Sequence, residues 1–194
     1  MHRSRHLVLA LAAALAAVAL APAPARAQSR YGHEGPGVLV GGLVGYESGD
    51  LDGLALRLDA ELGLQRLAPR LVLDGVGSFG YSHLTFDHPD FTQSFDRFEL
   101  VPAARFLVPL GSGVGVYGDL GLGLYWGRLH TTDYFYGYHA DNTDFGLAAR
   151  VGVGGYVWAS NNVRLGIDLA VHPYVGDYED TPFTAMFAIM FRTK

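Results

Sequence analysis

Residues 54–65 read LALRLDAELGLQ, and every second residue is apolar: Leu54, Leu56, Leu58, Ala60, Leu62 and Leu64 share one parity, while Arg57, Asp59, Glu61 and Gln65 fall on the other. Side chains of a strand alternate between two faces, so a period of two sorts this stretch into one apolar face and one charged face. Composition pulls the other way, because Leu, Ala, Glu and Arg are good helix formers. A helical wheel gathers Leu51, Leu54, Leu58 and Leu62 but throws Leu56 and Leu64 to the far side, whereas the strand reading misplaces none.

The chain opens MHRSRH, continues through an apolar run over 7–21 and reaches APAPARA before Gln28. A basic segment, a short apolar core and a small-residue cleavage site form the pattern of a secretory signal peptide, expected over 1–27. Pro22 and Pro24 end the core short of the roughly 20 residues that cross a bilayer as a helix. A polar lead-in, 28–36, is expected next, and then a single barrel domain over 37–194. Removing Arg3, Arg5 and Arg26 leaves 11 basic against 19 acidic residues, a balance that argues against nucleic acid as a partner. With no cysteine, an exported chain has no disulfide framework to lean on. Nothing after residue 27 is an apolar run long enough for a membrane helix, so a membrane protein of this sequence spans as strands.

Seven more segments alternate as 54–65 does. The first, 38–47, is apolar or glycine on both parities, which leaves its inside face open. The others are 71–82, 98–110, 114–128, 145–158, 163–172 and 183–191. Pro102 counts against the fourth segment, because proline removes a ladder donor and marks an edge or a bulge. Connections at 66–70, 111–113 and 159–162 are short, and those at 83–97 and 129–144 read as long loops rich in Tyr, Phe, Asp and His. Short and long in turn, they describe an up-and-down meander with its long loops at one end.

A soluble barrel turns its apolar face inward, and a transmembrane barrel turns it outward around a polar lumen. Glycine crowds the polar parity at Gly115, Gly121, Gly123, Gly146, Gly152, Gly154 and Gly166, as a narrow interior requires if Tyr117, Tyr125 and Tyr156 are to fit beside it. On the apolar parity, Tyr46, Tyr81, Phe98, Trp126, Phe145 and Phe183 recur where strands meet the long loops, the pattern of an aromatic girdle. The expected fold is therefore all-β: an eight-stranded antiparallel up-and-down transmembrane β-barrel in a cell outer membrane, its long loops outside.

Over nearly all of the chain after the signal segment, the sequence resembles the OmpA/OmpX-type eight-stranded outer-membrane barrels. The resemblance rests on the signal pattern, the alternating strands, the loop asymmetry and a last strand FTAMFAIMF with Phe183, Phe187 and Phe191. In that family such a strand addresses the chain to the barrel-assembly machinery, although here Arg192, Thr193 and Lys194 follow the final aromatic. The resemblance implies contact with outer-membrane lipid and lipopolysaccharide, a monomer, and no cofactor. The peptidoglycan tether of longer members is not expected.

The polar parity collects Arg57, Asp59, Glu61, Asp74, Glu99, Arg105, Asp119, Arg150, Arg164 and Asp168, with His172. Charges taken from water are costly unless paired, so the four arginines Arg57, Arg105, Arg150 and Arg164 are expected to be bridged by the carboxylates in a packed lumen. The rival is a narrow, porin-like pore or proton path.

Some barrels of this size are lipid-modifying enzymes, yet no catalytic set is evident. Ser82 and His83 are adjacent and so face opposite sides, and Asp168 and His172 stand roughly 13 Å apart on a strand. GVGVYG at 113–118 opens a strand instead of a helix and fails as a nucleotide loop. His139, Asp141 and Asp144, and likewise Asp87, His88 and Asp90, match no metal spacing, so no metal is assigned. Tyr134, Phe135, Tyr136 and Tyr138 are candidate loop contacts, because tyrosine supplies binding area at low entropic cost. The expected role is structural or surface-interacting. The alternatives are an enzyme acting on lipid A or phospholipid and, more remotely, a soluble barrel for an apolar ligand.

Overall fold

The computed structural model describes residues 37–134, 136–176 and 179–193. The expected signal peptide and lead-in, and Phe135, lie outside them.

The chain runs through β1 (Val38–Ser48), β2 (Asp52–Ala68), β3 (Leu71–Asp87), β4 (Phe91–Gly111), β5 (Val114–Asp133), β6 (Tyr138–Trp158), β7 (Val163–Val171), β8 (Tyr174–Gly176) and β9 (Phe183–Arg192). Each strand pairs antiparallel with its neighbours, and the β1–β9 and β5–β6 ladders close the sheet into a ring. β7 and β8 together make one wall of an eight-walled barrel. Pro173 has no amide hydrogen and breaks that wall, but its carbonyl still accepts from Ala149, and the amides of His172 and Tyr174 turn to the carbonyls of Pro182 and Asp180.

The tilt can be counted along the ladder. From Glu47 one way, the rung passes Gly53, Leu84, Phe95 and Leu129 and meets β6 at Asn142. The other way, it passes Thr184 and Ala170 and meets β6 at Gly152, ten residues further along. That stagger belongs to a narrow closed barrel whose interior is filled by side chains.

The leucines of β2 face outward, with Leu58 62% exposed, while Arg57 and Asp59 beside it are each 2% exposed. Apolar-out and polar-in holds around the ring and excludes the soluble-barrel alternative on physical grounds, since the wall would otherwise present Leu120, Leu122 and Leu124 to water. β1 takes the same arrangement. Its Leu39, Leu43 and Glu47 point inward, and Val40, Val44 and Tyr46 point outward, which settles the face that the sequence left open.

Three sequence expectations need correction. The stretches 83–97 and 129–144 are not long loops: β3, β4, β5 and β6 continue through most of both, β3 ending at Asp87 before β4 starts at Phe91, and β5 ending at Asp133 before β6 starts at Tyr138. At 17 to 21 residues, these strands far exceed the roughly 9–11 that span a bilayer, so the sheet projects beyond it. Pro102 marks neither an edge nor a bulge. It faces outward inside β4, and the β4–β5 register is the same on both sides of it. The seventh segment of the sequence reading, 163–172, ends too early, for its wall continues past Pro173 as β8.

Candidate functional site: the charged lumen

Parity delivers the ionisable residues to one place. Arg57, Asp59, Glu61, Asp74, Glu99, Arg105, Asp119, Arg150, Arg164, Asp168 and His172 all point into the barrel and are buried. They form two tiers instead of one network.

The inner tier is a continuous chain of ion pairs. Arg164 Nη1 donates to Glu61 Oε1 at 2.7 Å, and Arg105 Nη1 donates to Glu61 Oε2 at 2.7 Å. Arg105 Nη2 reaches Asp119 Oδ2 at 2.8 Å, and Arg150 Nε reaches Asp119 Oδ1 at 3.1 Å. Arg150 Nη2 then meets Asp168 Oδ1 at 2.6 Å, which also accepts from Arg57 Nη1 at 3.2 Å, and Arg57 Nε closes on Asp59 Oδ1 at 2.9 Å. Tyr117 donates to Asp168 Oδ2 and Ser78 to Asp59 Oδ1, both at 2.8 Å. Asp74, opposite Arg105 in register, is buried beside this tier. Such a layer holds only because each charge meets opposite charge or a hydroxyl at close range.

The outer tier lies toward the long-strand hairpins and corrects the expectation that Glu99 bridges the four arginines. Glu99 instead accepts from Tyr174 at 2.8 Å and lies 3.4 Å from His172 Nδ1. His172 Nε2 is 3.2 Å from Thr184 Oγ1. Ser82 donates to Glu47 at 2.7 Å, Arg97 pairs with the same carboxylate, and the Arg97 guanidinium lies 4.0 Å above the Tyr174 ring. Both Asp144 oxygens, and Nε and Nη1 of Arg97, have no hydrogen-bond partner in the protein among the described residues. Glu99, His172 and Thr184 repeat the order carboxylate, imidazole, hydroxyl, but Thr184 is 1% exposed under packed side chains, with no path for a substrate in this conformation.

Sequence reading missed Glu47, Arg97, Tyr174, Thr184 and the inward position of Asp144. Counting back by two from Glu99 reaches Arg97, and from Gly146 reaches Asp144, so the same parity runs on into the polar stretches 83–97 and 129–144. Parity also divides the candidate metal-binding triplet His139, Asp141 and Asp144. Asp144 points inward whereas Asp141 points outward, and no metal-binding group occurs among the described residues.

Apolar plugs bound the charges at each end. Leu51, Leu84, Phe95 and Leu129 close the outer mouth above Tyr125 and Tyr174. Leu39, Val72, Leu107, Tyr156, Trp158 and Met190 close the opposite end. A lumenal cavity beside Asp59, Arg105 and Tyr117 measures about 10 Å³, room for about one water.

On the outside, Tyr81, Phe98, Trp126 and Phe145 occupy one rung, with ring centroids 5.0 Å apart for Tyr81–Phe98 and 5.7 Å for Phe98–Trp126. Tyr46 and Phe183 also face outward. Beyond this rung the outward residues turn polar, with His83, Asp96, Arg128, His130 and Asp141.

A closed barrel with an apolar exterior and an ionic interior has the fold of the small outer-membrane β-barrels. No protein-family model matches the chain, and no curated protein resembles it in sequence. Solved structures resemble it in fold. A major outer membrane protein from Thermus thermophilus is 16% identical, with 82% of this chain and 100% of that one covered and a TM-score of 0.55. Neisserial surface protein A is 16% identical over 80% of this chain and 95% of its own, at a TM-score of 0.52. The outer membrane enzyme PagL is 13% identical over 78% and 97%, at 0.50. At these identities the likeness establishes the fold.

Proposed function

We propose that this protein is a non-conducting outer-membrane barrel that holds a projecting sheet at the cell surface for contact with other molecules, without catalysis of its own. The observation that carries this reading is the layered lumen, in which a continuous chain of buried ion pairs lies between two apolar plugs. A pore needs a wetted path, and a rigid anchor needs none. The projecting β3–β6 sheet supports the surface role, for it ends in Tyr134, Tyr136 and Tyr138, each at least 60% exposed. Export by the 1–27 segment, residence in the outer membrane as a monomer, contact with lipopolysaccharide, and reading of β9 by the assembly machinery through outward Phe183, Phe187 and Phe191 all belong to this proposal.

Two experiments test it. Purified protein in planar bilayers is expected to give no sustained conductance, and regular channel steps would overturn the sealed-lumen reading. Lipid A and phospholipid mass spectra from cells with and without the gene are expected to match; a change in acylation would replace the scaffold with an enzyme.

A further inference from the structure

The lipid-facing wall is notched at Gly42. Gly42 points outward from β1 between Leu58 of β2 and Ile189 of β9, and a Cβ built there would find no atom nearer than Leu58 Cδ2 at 3.9 Å. The corresponding outward positions of β5, Leu120, Leu122 and Leu124, all carry long side chains. Around Gly42 the missing side chain opens a groove of about 590 Å³, walled by Val44, Leu56, Phe79 and Phe187 as well as the two flanking residues. That volume lies in the range of ligand clefts, roughly 300–1,000 Å³.

The groove has a direction. It follows two adjacent rungs, Ile189–Gly42–Leu58–Phe79 and Phe187–Val44–Leu56–Tyr81. The ladder climbs toward the long-hairpin end from β9 to β3, so Tyr81 stands at the outer end and Phe187 deeper in the wall. Polarity begins where the groove ends. The Tyr81 hydroxyl donates to Asp96 Oδ1 at 2.8 Å, and His83 Nδ1 lies 2.8 Å from the same oxygen. An oblique apolar channel capped by a hydroxyl, a carboxylate and an imidazole has the shape of an amphiphile: a chain below, and ester or sugar oxygens above.

We infer that the Gly42 groove seats one acyl chain of an outer-leaflet lipid A molecule, with its sugar–ester region at Tyr81, Asp96 and His83. The occupant follows from position, because only bilayer hydrocarbon reaches this part of the wall and the polar rim lies at the outer end alone. The inference rests on the transmembrane reading proposed above, which heat-modifiable migration of the folded barrel tests separately.

Native mass spectrometry of the detergent-folded full chain, titrated with synthetic hexa-acylated lipid A or with phosphatidylglycerol, decides it. Wild type is expected to retain one lipid A through collisional activation that strips phosphatidylglycerol. Gly42→Leu and Gly42→Phe, which fill the notch, are expected to lose that retained molecule. Gly77→Phe, which adds the same ring outside the groove at a site with no atom within 4 Å, is expected to keep it. Heat-modifiable migration identifies which variants have folded. Equal retention by folded Gly42 variants, no retained lipid A in wild type, or equal retention of phosphatidylglycerol would each overturn the assignment.

Discussion

Tyr117 on β5 and Gly154 on β6 face each other across the ladder, and the tyrosine ring fills the space where a side chain on residue 154 would begin. A Cβ there would collide with Tyr117 Cζ and lie 2.5 Å from the Ile167 carbonyl oxygen. The exchange is reciprocal, since Tyr156 lies across Gly115 on the same strand pair, its hydroxyl in the place of the would-be Cβ. The glycines of the polar parity thus let bulky polar side chains lie flat in a narrow barrel. Gly154→Ala is expected to destabilise the fold by about 1–3 kcal/mol through overpacking. Gly77→Ala, in open space, is expected to fall within about 0.5 kcal/mol of wild type. Urea unfolding in lipid vesicles reads both, and equal midpoints would dismiss the packing argument.

Asp168 joins three partners, Arg57, Arg150 and Tyr117, and is wholly buried. Asp168→Asn keeps the shape but leaves two guanidinium groups short of charge, and breaking a buried pair from one side costs about 3–5 kcal/mol. The same vesicle assay is expected to show a loss of that size. Arg128→Gln, whose ion pair is exposed, is expected to lose no more than about 1 kcal/mol. A small loss for Asp168→Asn would mean that the inner tier contributes little to holding the barrel.

How far the sequence could be read depended on contrast between faces. In 54–65 one face is leucine and the other charged, so parity named the lumenal side of Arg57, Asp59 and Glu61 without a coordinate. Contrast vanishes at 82–97, where Ser82 points in and His83 points out yet both are polar, so the pattern gives no strand signal although the ladder runs on. β1 fails for the opposite reason, being apolar on both faces, because its Leu39 belongs to the inner plug and Leu43 to a second buried apolar cluster. The division of the charges into two tiers is a matter of ladder stagger, which places Glu99 beside His172 and Tyr174 and which no single strand records.

Leu58 and its neighbour Arg57 test inside against outside at one point in the chain. With Leu58 62% exposed to the surroundings of the wall, Leu58→Arg is expected to cost about 2–4 kcal/mol if it sits near the bilayer midplane, and to slow insertion. Folding yield into vesicles, read by heat-modifiable migration, gives the answer. Unimpaired assembly would reverse the assignment of faces.

Asp141 stands beyond the aromatic rung on the projecting β5–β6 hairpin, where solvent surrounds it. His130 Nδ1 at 2.5 Å and Arg128 Nη2 at 2.8 Å engage its two oxygens, and hydrogen bonding to His130 first and Arg128 second holds its carboxyl below the ordinary value of 3.8. A carboxyl depressed in the folded state contributes stability that is complete above its unfolded pKa and disappears as pH falls through the lower, folded value. Closure of this hairpin should therefore be insensitive to Asp141 down to the carboxylate range and weaken below it. Amide hydrogen exchange across 128–141, followed from about pH 5 to about pH 2, is expected to show protection falling at the acid end in wild type. In Asp141→Asn, protection is expected to be lower at pH 5 and flat across the range. Parallel profiles for the two proteins would mean that this bridge does not hold the hairpin together.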